Sequence, residues 1–253
     1  MGVPVLLLHH AGGGASDWSE IVERLGPGAD ALAVDLPGHG ARLLEEPLRD
    51  VTAMAAFAAR AVRARWGRPA IVVGHSMGGA VALQLALDHR EAVAGLVLVS
   101  TAARLRVATA LLDLVREHFQ ELPQQMAAMG FAPSASPAVA ARWLSAPWPA
   151  SPAAAVADFS ACDACDLRPR LPEIGVPAVV MVGEQDLMTP VKRARELVEG
   201  MPCARMRVFP DTGHLLIWER PTEVVEEIER MAGGIDPRAP RRTCEAAGGE
   251  AGG

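Results

Sequence analysis

One six-residue turn constrains this chain more than any other feature. Gly74-His75-Ser76-Met77-Gly78-Gly79 follows the apolar run Ala70–Val73 and precedes a helical pattern from Ala80 through Leu87. This is G-x-S-x-G in the strand–turn–helix setting that the motif requires. The chain must turn sharply there, and Gly74 and Gly78 remove side chains that would clash. Ser76 is left at a strained tip with its hydroxyl exposed. The helix N-terminus beneath it favours developing negative charge.

The rest of the chain repeats the strand–helix rhythm. Apolar runs at Val3–Leu8, Ala31–Val34, Ala70–Val73, Leu96–Val99, Ala178–Val182 and Met206–Phe209 read as strands. Their near-continuous hydrophobicity fits strands covered on both faces, which predicts a mostly parallel α/β sheet with helices on each side. Asp17 with Glu20 reads as a capping box. Gly67 ends a helix over Ala53–Trp66, Thr189 and Pro190 open one running to Gly200, and Pro221 opens the last, through Met231.

The rhythm breaks between Ser100 and Pro177. Leu105, Ala108, Leu111, Leu112, Val115 and Phe119 recur at helical spacing, and Ser136-Pro137 and Ser151-Pro152 each read as an N-cap followed by proline at the first helical position. This predicts a core of residues 1–100 and 171–232 with a helical lid over 101–170. The Gly-, Pro-, Ala- and Arg-rich segment Gly233–Gly253 reads as disordered.

Composition excludes several function classes. A net charge of −6 without a basic stripe speaks against nucleic acid as a partner. No apolar run reaches the ~18 residues that span a membrane, and no signal peptide is evident. The expectation is a cytoplasmic monomer or homodimer acting on a small molecule. Cys162 and Cys165 form a lone C-x-x-C without the further ligands of a zinc site, so they read as packing thiols. No metal and no cofactor is expected. Tyrosine is absent, which excludes a mechanism that polarises substrate through a tyrosine hydroxyl.

A serine hydroxyl is a poor nucleophile until a base takes its proton. Among seven histidines, His214 follows the last strand on the turn Pro210-Asp211-Thr212-Gly213, at the same sheet edge as Ser76. Ligands in open α/β sheets bind outside the carboxyl ends of the strands. His214 is therefore the candidate base. Asp186, just after the strand Ala178–Val182, is the candidate for orienting it, in the chain order Ser…Asp…His. Its rivals are Glu184, Asp211, Asp163 and Asp166. The oxyanion hole needs two backbone N–H groups. Met77, after the nucleophile, and Ala11, in the loop His9–Gly14, are the candidates. His9 and His10 are adjacent at a strand end and point to opposite faces. His10, Trp143 and Leu215 are the expected substrate contacts, with Met77 also close to substrate. The lid residues Leu111, Leu112, Val115, Phe119 and Trp148 are further candidates for an apolar acyl pocket.

The elbow, Asp35-Leu36-Pro37-Gly38-His39-Gly40, Gly183–Asp186 and Gly213-His214 together resemble the α/β-hydrolase superfamily, over about residues 3–231. The resemblance implies a mostly parallel sheet, often with a lid inserted after the strand that here ends near Ser100. Most members carry a hairpin ahead of the first strand seen here, so six strands are expected. Most also carry His-Gly where this chain has His9-His10. The loop His10–Ser16 looks like that of type II thioesterases, whereas Gly213-His214 leading into Trp218-Glu219-Arg220-Pro221 looks like small esterases and lactonases. Relatives with an aspartate nucleophile are excluded by Ser76. The reaction so read is hydrolysis of carboxylic esters with small to medium apolar acyl groups through an acyl-enzyme. A thioesterase, a lactonase, a carbon–carbon bond hydrolase and a non-catalytic ligand receptor are the alternatives.

Overall fold

The computed structural model describes residues 2–235. Six strands form one sheet: β1 (Val5–Leu8), β2 (Ala31–Val34), β3 (Ala70–His75), β4 (Val93–Val99), β5 (Ala178–Gly183) and β6 (Ala204–Phe209). All pairs are parallel, in the order β2-β1-β3-β4-β5-β6. The expected strands are all present, two of them starting earlier: β4 by three residues and β6 by two.

Alternation along the strands divides the interior in two. Leu6, Leu8, Val72, Leu96, Leu98, Val180 and Val182 face α2 (Val51–Trp66), α3 (Met77–Asp88) and α8 (Val191–Gly200). Val5, Leu7, Ile71, Val73, Val97, Val99, Val179 and Met181 face α1 (Ser19–Leu25), α9 (Leu216–Glu219) and α10 (Pro221–Gly234). With side chains alternating faces, a run apolar at every position must be covered on both sides.

Four helices intervene between β4 and β5: α4 (Thr109–Glu117), α5 (Leu122–Gly130), α6 (Pro137–Ser145) and α7 (Pro152–Ala164). Val115, Leu122, Met126, Trp143 and Phe159 join the first core, so this excursion packs onto the α3 side of the sheet. Ser151 caps α7 by accepting from Ala154 N–H at 3.1 Å. The expected apolar periodicity overshoots α4 at both ends. Leu105 and Ala108 precede it, and Phe119 lies in a 3-10 turn.

The expected capping box is displaced. Gly14, not Asp17, is the N-cap of a 3-10 turn, Ala15–Trp18, and Asp17 at its third position accepts from Gly14 N–H at 2.8 Å. Glu20 instead pairs with Arg24 and Arg142, each at 2.6 Å. The turn is too tight for Asp17 to begin a helix, because the chain must return from the sheet edge to α1 within a few residues. Gly233 and Gly234 close α10 and Ile235 caps it, so these three residues of the segment expected to be disordered are ordered; the others, 236–253, lie outside the described residues. Among the described residues no helix is long and apolar enough to cross a membrane, and no cluster of side chains could hold a metal ion.

Candidate active site

Ser76 stands between β3 and α3 with φ 53° and ψ −114°, a conformation that costs a non-glycine residue about 1–3 kcal/mol. The surrounding bonds over-determine it. Ser76 N–H donates to Val99 O at 2.9 Å, and its carbonyl accepts from Gly79 N–H at 2.9 Å and from Thr101 Oγ1 at 2.7 Å. A Cβ at Gly74 would collide with the Gly78 carbonyl, and one at Gly78 with the Leu8 carbonyl. Helix, elbow and β1 meet there with backbone against backbone.

His214 and Asp186 come together from the ends of β6 and β5. His214 Nδ1 lies 3.0 Å from Asp186 Oδ2 and 3.1 Å from Oδ1, and both residues are buried. Asp186 is braced further. Its Oδ1 accepts from Met188 N–H at 2.9 Å and Thr189 N–H at 2.7 Å, and its Oδ2 accepts from Thr189 Oγ1 at 2.8 Å. Burial alone would raise this carboxyl. The contact with His214 and the Thr189 donors outweigh burial and hold it well below the usual carboxylate range. Thr189 thus braces the acid, while Pro190 caps α8. The rivals go elsewhere: Asp163 accepts from Val107 N–H, Asp166 pairs with Arg104 and Arg168, and Asp211 occupies a turn with φ 48°.

The backbone that carries His214 is held from the helical excursion as well. Gly130 O accepts from His214 N–H at 2.6 Å and Leu215 N–H at 3.0 Å. Glu219 accepts from Gly213 N–H at 2.9 Å and from Ala132 N–H at 3.2 Å, tying the histidine loop to the end of α5. His75 Nε2–H donates to His214 O at 2.9 Å. Burial, with His10 and His214 adding, pushes the His75 ring well below the usual imidazole range, so it is neutral.

His214 Nε2 is buried without a hydrogen-bond partner among the described residues. Ser76, His214, His10 and Ala11 line one cavity of about 250 Å³. Most of its remaining wall is apolar: Leu105, Leu111, Met126, Met129, Phe159 and Met188. Leu187, 80% exposed, stands at its mouth.

The loop after β1 has its amides almost fully assigned. Gly12 N–H donates to Asp158 Oδ2 (2.8 Å), Gly13 N–H to His10 O (2.9 Å), Gly14 N–H to Asp17 Oδ2 (2.8 Å) and Ala15 N–H to Asp35 Oδ1 (2.7 Å). Ala11 N–H, in the same loop, has no acceptor among the described residues. Met77 N–H, at the first position of α3, likewise has none.

Of the expected substrate contacts, His10 lines the cavity, whereas Trp143 and Leu215 do not. Trp143 stacks on the outer side of His10, with ring centroids 5.4 Å apart, and meets Phe131, Trp148 and Trp218 edge-on. Leu215 is fully buried under Gly130. Both are seam residues between the excursion and the core: Trp143, on α6, meets Trp218 of α9, and Leu215, just before α9, lies under Gly130 of α5. Met77, Leu112, Val115, Phe119 and Trp148 also lie off the cavity wall. Sequence reasoning missed Leu105, Met126, Met129, Phe159 and Met188, which come from four separate segments. Thr189 had a legible signal in Asp186-x-x-Thr189, the spacing of a side chain that accepts from amides two and three residues on.

A strained serine at a strand-to-helix turn, a histidine–carboxylate pair at the same sheet edge and two amides without acceptors define a hydrolase-type site. The chain belongs to the alpha/beta hydrolase family, whose profile matches residues 5–227. It is 29% identical over 251 residues to a pimeloyl-[acyl-carrier protein] methyl ester esterase of Vibrio vulnificus (strain YJ016), covering 92% of this chain and 95% of that protein. A thermophilic esterase from Thermogutta terrifontis superposes with a TM-score of 0.79 at 26% identity, covering 91% and 89% of the two chains. The enol-lactonase from Burkholderia xenovorans LB400 gives 0.81 at 25% identity, over 91% and 92%.

Proposed function

We propose that the protein is a serine esterase that hydrolyses carboxylic esters with small to medium apolar acyl groups. The observation that carries this reading is the shared cavity: Ser76 and His214 both line it, with His214 Nδ1 held by Asp186 and Nε2 left unpartnered. The Asp186 contact keeps the Nδ1–H tautomer, so Nε2 presents its lone pair to the serine. His214 takes the Ser76 proton as Oγ attacks the ester carbonyl. The carbonyl oxygen becomes an oxyanion, held by Ala11 N–H and Met77 N–H. The tetrahedral intermediate collapses, His214 protonates the leaving alcohol, and an acyl-serine remains. Water then attacks with His214 as base, releasing the acid and restoring Ser76.

The cavity wall supports the substrate class. Leucine, methionine and phenylalanine side chains bury an acyl chain with a gain of about 25 cal/mol per Å² of apolar area. Helices α4, α5 and α7 supply Leu111, Met126, Met129, Phe159 and Cys162 to that wall, and with α6 they act as the lid. The likeness to a methyl ester esterase favours a small alcohol leaving group, and the likeness to an enol-lactonase favours lactones as the second substrate class. The test is turnover of p-nitrophenyl and methyl esters of graded acyl length, beside lactones, with Ser76→Ala as control. Ester turnover lost in the variant supports the reading. A folded wild type that hydrolyses lactones and no ester replaces it with the lactonase reading, and one that hydrolyses neither overturns both.

A further inference from the structure

One buried carboxylate at the seam between lid and core has no part in the reaction just described. Asp158 lies in the second turn of α7 and is 1% exposed. Its Oδ2 accepts from Gly12 N–H at 2.8 Å and lies 3.0 Å from His39 Nε2. His39 Nδ1 lies 3.2 Å from both Leu36 O and Pro37 O. Both ring nitrogens of His39 thus face acceptors, which only the imidazolium satisfies. The ring of His9, 4.6 Å away, stays neutral: its Nδ1–H donates to His10 O, its Nε2 accepts from Leu36 N–H, and burial together with the His39 charge pushes it down to about 4. One positive charge therefore faces one negative charge in an enclosed site.

The pair joins two core loops to α7. The turn that carries His39 is also laced to the residues before α7, by Gly40 N–H to Pro149 O (2.7 Å) and Ser151 N–H to Gly38 O (3.0 Å). The peptide between Ala11 and Gly12 is pinned on both sides. Asp158 holds its N–H, and His10 Nδ1–H holds its C=O at 2.9 Å. The Ala11 N–H belongs to the preceding peptide, whose carbonyl, His10 O, accepts from His9 Nδ1–H at 2.8 Å and Gly13 N–H at 2.9 Å. Peptide units are planar, so the dihedral angles at Ala11 are set between these two planes, and Asp158 supplies the lid's share of that constraint on the aim of the Ala11 N–H. Of the acceptors serving the amides of residues 12–15, Asp158 alone comes from the lid; His10, Asp17 and Asp35 belong to the core.

We infer that Asp158 is a positioning residue for the oxyanion hole, coupling the seating of α7 to the aim of the Ala11 amide. This rests on the esterase reading. Losing one oxyanion donor typically lowers kcat by about 10²–10³-fold. Asp158→Ala frees the peptide without deleting the donor, so kcat should fall about 30-fold or more, with KM within about threefold. Affinity for an alkyl boronic acid, which forms a tetrahedral adduct on Ser76, should fall in parallel. Asp158→Asn keeps an oxygen for Gly12 N–H and should restore both quantities to within about fivefold of wild type. Should Asp158→Ala not fold, the double variant Asp158→Leu/His39→Leu removes both charges at once and leaves neither buried alone. It carries the same expectation. Wild-type kcat and boronate affinity in a folded variant lacking the carboxylate overturn the inference, as does an Asn variant as impaired as Ala. A wild type that turns over no ester overturns the esterase reading and this inference with it.

Discussion

Replacing Asp186 with asparagine separates the orientation of His214 from the integrity of the fold. Asparagine is isosteric, and its Oδ1 can still accept from Met188 N–H and Thr189 N–H. What changes is the atom at Oδ2, which lies 3.0 Å from His214 Nδ1 and 2.8 Å from Thr189 Oγ1. An amide NH₂ there donates to Nδ1, and Oδ1, 3.1 Å from Nδ1, is already engaged by two amides, so the balance shifts to the tautomer with Nδ1 as acceptor and the proton on Nε2. An imidazole in that tautomer cannot accept the Ser76 proton. The same substitution in a serine protease triad costs about 10⁴ in kcat, and a loss of that order corresponds to about 5 kcal/mol of barrier. The stability change is smaller, about 1.5–3 kcal/mol for one hydrogen bond to a charged group. The measurement is kcat for a p-nitrophenyl ester across pH, beside urea unfolding of the same preparation. Retention of more than a tenth of wild-type kcat in a folded Asp186→Asn protein would refute the orienting role.

Further perturbations test the other supports of the site. Thr189→Val deletes the hydroxyl donor to Asp186 while the amides stay, so kcat should drop about tenfold with KM little changed, for the loss of about 1.4 kcal/mol; an unaffected kcat makes the threonine dispensable. Gly78→Ala places a methyl against the Leu8 carbonyl, and unfolding in urea should register a loss of about 3 kcal/mol or more. A Phe159→Ala enzyme should accept longer acyl chains than wild type, and an unchanged profile removes Phe159 from the acyl wall. The buried histidines predict a stability optimum near pH 6.5. His9 and His75 have depressed pKa values, so stability is lost as pH falls below 6.5 and the unfolded chain binds their protons. Burial would depress His10 and His39 too, but contacts with Asp17 and Asp158 outweigh it and raise them, so their contribution is complete below 6.5 and lost as pH rises through the raised values. Urea midpoints that climb steadily from pH 5.5 to 8.5 contradict those charge states.

The residues of the site were legible in the sequence wherever a single local rule selects them. Gly74 and Gly78 are forced by a backbone turn that admits no Cβ, and Ser76 stands between them. The all-apolar strands announce a sheet covered on both faces. His214 and Asp186 each follow such a strand, and parallel pairing brings strand ends to one edge, so their meeting is a consequence of topology. The amide of Ala11 follows from the position of its loop opposite the elbow. Tertiary structure alone decided what the excursion does with its side chains. Trp143 and Leu215 are apolar like the residues that line the cavity, and hydrophobicity does not distinguish a wall from a seam. Asp158 looks like any helix-surface acid in Ala157-Asp158-Phe159, and His39 like a turn residue. Packing α7 against two core loops makes them a buried pair, because a charge there must find its opposite or an amide. Such partners lie more than a hundred residues apart, at a distance that no periodicity encodes.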